Sequence, residues 1–301
     1  MASVIVLAGG SSDEREISLR SGAAVAEALK LKGHEVQELD PSQPIPPDTL
    51  KQADVVFPVL HGAGGEDGSL QGQLDALQVA YVGSGVAASE LCFDKWRYKQ
   101  FINSHGLPVP HGEIVTVDTF WQFSLVSKPF VFKPYDGGSS VDTYLHRSGL
   151  VPKETIADIF TRHPKMLLEE LVEGTEITVS VLGDQALPVI EIIPPSGGEF
   201  DYTNKYNGKS QELCPPEHVS AELQQKAQEL ALKAHNLCGC RDYSRTDIMI
   251  NSAGELYILE TNTIPGMTTQ SLFPKAAETT GISMEDLCDR LVQMALARKT
   301  T

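Results

Sequence analysis

The 301-residue chain has no apolar run near the roughly 20 residues that a membrane-spanning helix needs. Its first residues, MASVIVLAGGSSDERE, lack a basic leader and a long apolar stretch, so they read as a first strand rather than a signal peptide. Clusters of lysine or arginine are also missing. With 24 basic against 40 acidic residues and a net charge of −16, a nucleic acid is a poor partner, although a small anion needs only a few well-placed cations. Cysteine is sparse and odd in number: Cys92, Cys214, Cys238, Cys240 and Cys288. The CGC at 238–240 has no second half to complete a zinc site, and the set reads as reduced thiols of a cytosolic protein. No internal repeat and no low-complexity tract appears. Two phosphate-binding signatures are absent as well. LAGGSS is not GxGxxG, which argues against a dinucleotide fold and an NAD-dependent dehydrogenase, and no GKS or GKT ending marks a P-loop.

What is present reads as an α/β chain. Residues 3–8 (SVIVLA) form a buried strand, GGSS a turn, and residues 14–32 a helix with Ile17, Ala24, Val25, Ala28 and Leu31 on its apolar side. HEVQEL alternates as a second strand. ADVVFPVLHG reads as a third, ending at His61. This is a parallel unit, and ligands of such sheets sit beyond the carboxyl ends of the strands, where AGGSSDERE and LHGAGGEDG fall. SELCFDKWRYKQFINSHGLPVP reads as one helix holding Lys95, Trp96 and Lys99. FVFKPYDGGSSV is a strand, a glycine–serine loop and a possible strand. MLLEELVEGTEITVSVLG is two strands around a Gly174 turn. LPVIEII follows, then a polar loop over 194–216, a helix over 220–236, the hairpin RTDIMINSAGELYILETN, and an amphipathic helix from Met284 to Ala297.

The chemistry concentrates where a core strand ends in ILETN. Side chains alternate along a strand, so Glu260 and Asn262 share a face. With a four-residue loop at NSAG, Asp247 stands opposite Ile258 and joins that face; a three-residue loop puts it on the other. Two carboxylates and an amide oxygen make a hard-oxygen site suited to Mg2+ carrying phosphate and water. KPYDGGSSV is a matching phosphate cradle: Lys133 at a strand end, glycines that let backbone N–H groups approach, and Ser139 and Ser140. Lys95 in DKWRYK adds a second cation. EELV (169–172) before Glu176 reads as a base-and-ribose hinge.

As a set these segments resemble the D-alanine–D-alanine ligases of the ATP-grasp superfamily. The resemblance rests on GGSSDEREISLRSG (9–22), HGAGGEDGSLQGQLD (61–75), VGSGVAASELCFDKWRYK (82–99), KPYDGGSSV (133–141), EE (169–170), FDYTNKY (200–206), RTD (245–247) and ETNTIPGMTTQSLFP (260–274), in family order over nearly the whole chain. It implies a fold that is α/β overall and α+β in the C-terminal half: an N-terminal parallel-sheet domain followed by a two-part ATP-grasp fold. The implied units are 1–85 for substrate binding, 86–172 as the central ATP-grasp subdomain, and 173–301 as the C-terminal subdomain with metal and catalytic residues. The implied reaction phosphorylates the carboxylate of one D-alanine with ATP. The amine of a second D-alanine then attacks the acylphosphate, giving a dipeptide for peptidoglycan synthesis; the alternatives are another D-amino acid or D-hydroxy acid (D-serine, D-lactate) as second substrate, or a low-activity ATP-binding relative.

By the same resemblance, Lys95 and Lys133 meet the α- and β-phosphates and Lys205 the γ-phosphate, with Ser139 and Ser140 in the cradle. Glu169, Leu171, Val172 and Glu176 line the adenine–ribose pocket. Asp247, Glu260 and Asn262 hold two Mg2+ ions, or Mn2+. Arg245 and the N–H of Gly266 stabilise the tetrahedral oxyanion. Glu14 pairs with the ammonium of the first D-alanine and His61 stands near its carboxylate, while Ser271 takes the carboxylate of the second. Glu14, Ser139 and Tyr206 close a lid, and Tyr206 favours D-alanine over D-lactate. A cytoplasmic homodimer acting on small molecules, with no nucleic acid and no membrane, completes the expectation. Two departures stand out: Asp142 where the family has glycine, with Tyr135 after KP, and YSRTD in place of a glycine-rich approach to the arginine.

Overall fold

The computed structural model describes residues 1–137, 142–194 and 210–299. Three sheets carry the chain. The first is parallel, in the order β2–β1–β3, built from β1 (Ser3–Leu7), β2 (Glu35–Leu39) and β3 (Val55–Pro58). The α1 helix (Arg15–Leu31) buries Val25, Ala26, Ala28 and Leu29 against it. The third strand stops at Pro58, earlier than the sequence suggests, so His61 stands in the loop beyond the strand end. A short α2 (Pro47–Lys51) precedes that strand, and α3 (Ser69–Leu77) follows the loop.

The single helix expected over the next stretch is two, α4 (Val86–Phe93) and α5 (Lys95–Ser104). Asp94 breaks them: its backbone is extended and its side chain accepts the N–H of Arg97 at 2.9 Å, an N-cap that starts a new helix at Lys95. A second, antiparallel sheet has the order β4–β7–β5–β6, from β4 (Gly112–Val115), β5 (Phe130–Lys133), β6 (Tyr144–His146) and β7 (Met166–Glu170). An aromatic cluster of Phe120, Phe130, Phe132 and Phe160 fills the space under it, the last from α6 (Lys153–Arg162).

The third sheet runs β11–β10–β8–β12–β13, with β9 paired to β8: β8 (Gly174–Leu182), β9 (Gln185–Ala186), β10 (Ile190–Ile193), β11 (Gln211–Leu213), β12 (Tyr243–Asn251) and β13 (Leu256–Asn262). The α7 helix (Ala221–Leu237), N-capped by Ser220, covers one face with Ala227, Ala231 and Ala234. The last helices, α8 (Leu272–Glu278) and α9 (Met284–Lys299), return to the first sheet, and Leu287, Leu291, Val292 and Ala295 of α9 join its core beside α1. Asp242 ties the parts together. Its carboxylate accepts the N–H of Gly83 at 2.7 Å and pairs with Arg298 of α9.

Candidate active site

The β12–β13 hairpin sets the acidic pair, by a route the sequence does not disclose. Leu256 stands opposite Ile250 and the N–H of Asn251 is donated to the Glu255 carbonyl at 2.9 Å, so the turn is the three residues 252–254 rather than four. Continued without interruption, that register would put Leu259 across from Asp247 and send Glu260 to the other face. A bulge between Asp247 and Ile248 on the pairing path absorbs one residue, so Asp247 pairs with Glu260 and Arg245 with Asn262. Asp247 therefore stands opposite Glu260, not Ile258 as the four-residue loop would have it. The burial pattern changes phase at the same place. Ile258 is buried under α7, Leu259 and Glu260 are both half-buried, and Thr261 is buried again.

Arg245, Asp247, Glu260 and Asn262 thus share one end of the sheet. Arg245 grips Asp247 with Nε and Nη2, each at 2.8 Å, and the Thr178 hydroxyl donates to the same carboxylate at 2.6 Å. The Asn262 carbonyl oxygen accepts the N–H of Ile264 at 2.8 Å, which fixes the amide. Lys95 Nζ lies 3.5 Å from a Glu260 oxygen and donates to the carbonyl of Gly137.

Two adjoining cavities meet at Lys95 and Gly137. The smaller is walled by Glu66, Cys92, Phe93, Glu260, Thr261, Asn262 and Thr263. The larger, about 330 Å3 and open to solvent, is walled by Ser11 to Glu14, Gly62, Ala63, Lys133, Pro134, Asp136, Asp142, Thr143 and His163. Its size suits a nucleotide-sized ligand. Glu14 from the first sheet's loop therefore faces Lys95 and Lys133 across one cleft. Glu14 is the residue that opens α1, without a side-chain capping bond, and it walls the larger cavity.

The other expected substrate residues lie beside it. The ring of His61 is 3.4 Å from the Ser21 hydroxyl, and that hydroxyl accepts the N–H of Met267 at 3.3 Å. Burial pushes the His61 imidazole down to about 4, so it is neutral at ordinary pH and acts by hydrogen bonding. Gly266 packs on Ser271: a Cβ at Gly266 would sit 2.7 Å from the serine oxygen, a space only glycine leaves. Ser271 Oγ also accepts the N–H of Thr268 at 3.1 Å. Gly62 adopts φ +75°, and the near oxygen of Glu14 would lie 3.4 Å from any Cβ placed there.

Glu169 is sealed between Lys99, in direct contact, and Lys133 at 2.8 Å. Burial opposes its ionisation, but the two ammoniums outweigh burial and hold it below the usual carboxylate range. Burial pulls Lys99 down to about 8, whereas at Lys133 the charges of Glu169 and Glu260 overcome burial and raise the pKa. Leu171 and Val172 follow β7, and Glu176 lies in β8 opposite Met249. Ser139, Ser140, Lys205 and Tyr206 lie outside the described residues.

Asp142, the departure in the loop, is turned toward α6. Its carboxylate takes His163 Nε2 at 2.7 Å and Arg162 Nη2 at 3.0 Å, so its charge is met before it reaches a phosphate. Its φ of +56° is a conformation that glycine adopts freely and aspartate tolerates.

Sequence reasoning missed Glu66, Thr178, Ser21 and Lys99. Glu66 is buried, accepts the N–H of Gly62 at 2.6 Å, and is pushed up to about 8 by burial and by the charge of Glu14. The signal for it was inside the quoted HGAGGEDG segment. No group of three His, Cys, Asp or Glu side chains among the described residues could hold a metal ion. The oxygen set here consists of two carboxylates and an amide. As hard donors at one strand end they fit Mg2+ in kind, and a cation arriving there would compete with Arg245 for Asp247.

Comparison with known proteins places this geometry in a family. Residues 37–84 match the family described as D-ala D-ala ligase N-terminus, and residues 101–293 the one described as D-ala D-ala ligase C-terminus. D-alanine–D-alanine ligase B of Chromobacterium violaceum is 40% identical over 291 residues, covering 95% of both chains. The D-alanine–D-alanine ligase of Bacillus anthracis solved with ATP superposes with a TM-score of 0.84 at 25% identity, covering 100% of this chain and 99% of that one. The VanG D-Ala:D-Ser ligase of Enterococcus faecalis gives a TM-score of 0.84 at 27% identity over 97% and 99%. With both halves of the family matched in order and relatives of about 40% identity along nearly the whole chain, the chain belongs to the D-alanine–D-alanine ligase family.

Proposed function

We propose that the chain joins two D-alanines to D-alanyl-D-alanine at the expense of ATP, through an acylphosphate, as a step in building peptidoglycan precursors. The observation that carries this reading is one cleft whose walls bring Glu14 of the first sheet together with Lys95 and Lys133, with Glu260 beside Lys95. Relatives of the same length, named for this reaction, support it.

A carboxylate is a poor electrophile, and phosphorylation supplies it with a leaving group. Lys95 and Lys133 neutralise the phosphates, from a helix start and a strand end respectively. Asp247, Glu260 and Asn262 would hold two Mg2+ ions, or Mn2+, whose charge offsets that of the phosphoryl oxygens. Glu14 holds the ammonium of the first D-alanine. His61, neutral, orients the same substrate by hydrogen bonding. Arg245 and the Gly266 N–H receive the oxyanion. Ser271, next to Gly266, holds the carboxylate of the second D-alanine. Leu171, Val172, Glu169 and Glu176 flank the nucleotide, and Ser139, Ser140, Lys205 and Tyr206 complete the phosphate cradle and lid. We divide the chain into a substrate-binding unit over 1–85, a central unit over 86–172 and a C-terminal unit over 173–301. No helix among the described residues is long and apolar enough to cross a membrane, and we assign the work to the cytoplasm, as a homodimer.

The test incubates the purified chain with ATP, Mg2+ and D-alanine, and follows phosphate and dipeptide by mass spectrometry beside L-alanine, D-serine and D-lactate. Phosphate and D-Ala–D-Ala appearing together, only with the D-isomer, is expected. A product carrying D-serine or D-lactate in place of the second D-alanine would overturn the substrate assignment. ATP binding without turnover on any acceptor would overturn the reaction.

A further inference from the structure

The five thiols take no part in the reaction, yet three of them meet in the core. Cys92 lies near the end of α4; Cys238 and Cys240 lie in the turn between α7 and β12. All are buried. The Sγ atoms of Cys92 and Cys240 are 4.0 Å apart, and Cys92 also makes a thiol contact with Cys238. The two thiols are unlike. Hydrogen bonds from Cys92 and from Ser84 pull Cys240 below the ordinary thiol range, against burial. Cys92 is pushed well above it by its contacts with Cys238 and Cys240 and by burial. Whichever is oxidised first, the other stands 4.0 Å away to close on it. Three sulfurs could suggest a thiophilic metal, but the cluster lacks the geometry of a metal site. Oxidation is the chemistry that remains. Access is narrow: Cys92 walls the smaller cavity beside Lys95 and Glu260, which admits a small neutral oxidant such as hydrogen peroxide and excludes a bulky disulfide.

We propose that Cys92 and Cys240 are a peroxide-oxidised pair, and that their disulfide reversibly arrests the ligase. One thiol of the pair, as its thiolate, attacks one oxygen of hydrogen peroxide. The O–O bond breaks, the leaving hydroxide takes up a proton as water, and that cysteine becomes a sulfenic acid. The second sulfur then attacks the first; its proton leaves with the departing hydroxide as a second water, and the S–S bond forms. Two thiols lose two electrons, one peroxide gains them, and two waters result. Closing the pair from 4.0 Å to about 2.05 Å draws α4 toward the start of β12. Asp94, which caps the helix bearing Lys95, follows Cys92 by two residues, and Arg245 and Asp247 follow Cys240 on β12. The bond therefore alters the spacing between Lys95 and the acidic pair.

The experiment treats the full-length protein with hydrogen peroxide under native conditions. Thiols are counted, peptides are sequenced by fragment ions without reduction (Cys238 and Cys240 share one tryptic peptide), and turnover is followed before and after dithiothreitol. A Cys92–Cys240 link, loss of two titratable thiols, and a fall in turnover of about tenfold that dithiothreitol reverses are expected. Cys240→Ser and Cys92→Ala should each resist the peroxide treatment. All five thiols surviving, a link to Cys238 instead, a link without loss of turnover, or either variant losing turnover to peroxide as the parent does would each overturn the proposal. The link is read by mass, so its failure is separable from any failure of the ligase assay.

Discussion

Replacing Glu169 with glutamine leaves the shape of the centre intact and removes the one carboxylate that Lys99 and Lys133 share. At the 2.8 Å separation of the Lys133 pair and an effective dielectric of about 20, the lost attraction is roughly 6 kcal/mol. The desolvation already suffered by the carboxylate is recovered in part, and a buried pair broken on one side typically costs about 3–5 kcal/mol. Glu169→Gln should fall in that range at pH 7. With a urea slope of about 2–3 kcal/mol per molar, the unfolding midpoint drops by about 1–2 M. The loss should depend on pH. Lys99 sits at about 8 in the folded chain against an ordinary 10.5, so the unfolded chain holds more protons between those values, and its contribution to stability rises with pH across that window. Without Glu169 its pKa falls further and the window opens lower. The gap between variant and parent therefore narrows as the pH is raised toward 8. A midpoint shift under about 0.3 M at pH 7, or a gap that widens with pH, would refute the reasoning.

Other variants test the remaining geometry. Asp247→Asn and Glu260→Gln should each lower kcat/KM for ATP about 100-fold or more and raise the Mg2+ concentration required, read by phosphate release. Asp142→Gly should leave the KM for ATP within about tenfold of the parent, because the carboxylate already faces Arg162 and His163 and glycine suits its positive φ; a larger drop in KM would show that the charge repels phosphate. Glu66 stays protonated up to about 8 when folded but ionises near 4.5 when unfolded, so stability falls as pH rises between those values; Glu66→Gln, which keeps an acceptor for the Gly62 N–H, should remove that slope and stabilise the ligand-free chain at pH 8 by about 1–3 kcal/mol in chemical denaturation. Gly266→Ala should lower turnover by about tenfold or more, since its methyl would meet the Ser271 hydroxyl.

Much of the site was legible in short segments. Alternation alone put Glu260 and Asn262 on one face, and the strand ends carrying Glu14's loop and Lys133 were visible as apolar runs stopped by glycine and proline. The pairing of Asp247 with Glu260 was not, because it depends on a one-residue bulge, and nothing in an alternating run says where a ladder slips. The break at Asp94 was readable as a cap signal but hidden inside a stretch with no glycine or proline to interrupt a helix. The lysine–glutamate–lysine centre joins residues from α5, β5 and β7, far apart in the chain, and no local pattern announces such a contact. The roles of single residues came from resemblance to a family, while their neighbours Glu66, Thr178 and Ser21 required coordinates.

The return of α9 to the first sheet has a consequence for how the chain is made. The core under α1 is sealed by Leu287, Leu291, Val292 and Ala295, which are synthesised long after it. Until they arrive, the first sheet keeps an apolar flank open while the two other sheets are being made. It therefore waits, incomplete, for the segment that Arg298 then fastens to Asp242. Loss of α9 should strike the first sheet as hard as the third, and a nascent chain stalled short of it is a natural client for a chaperone.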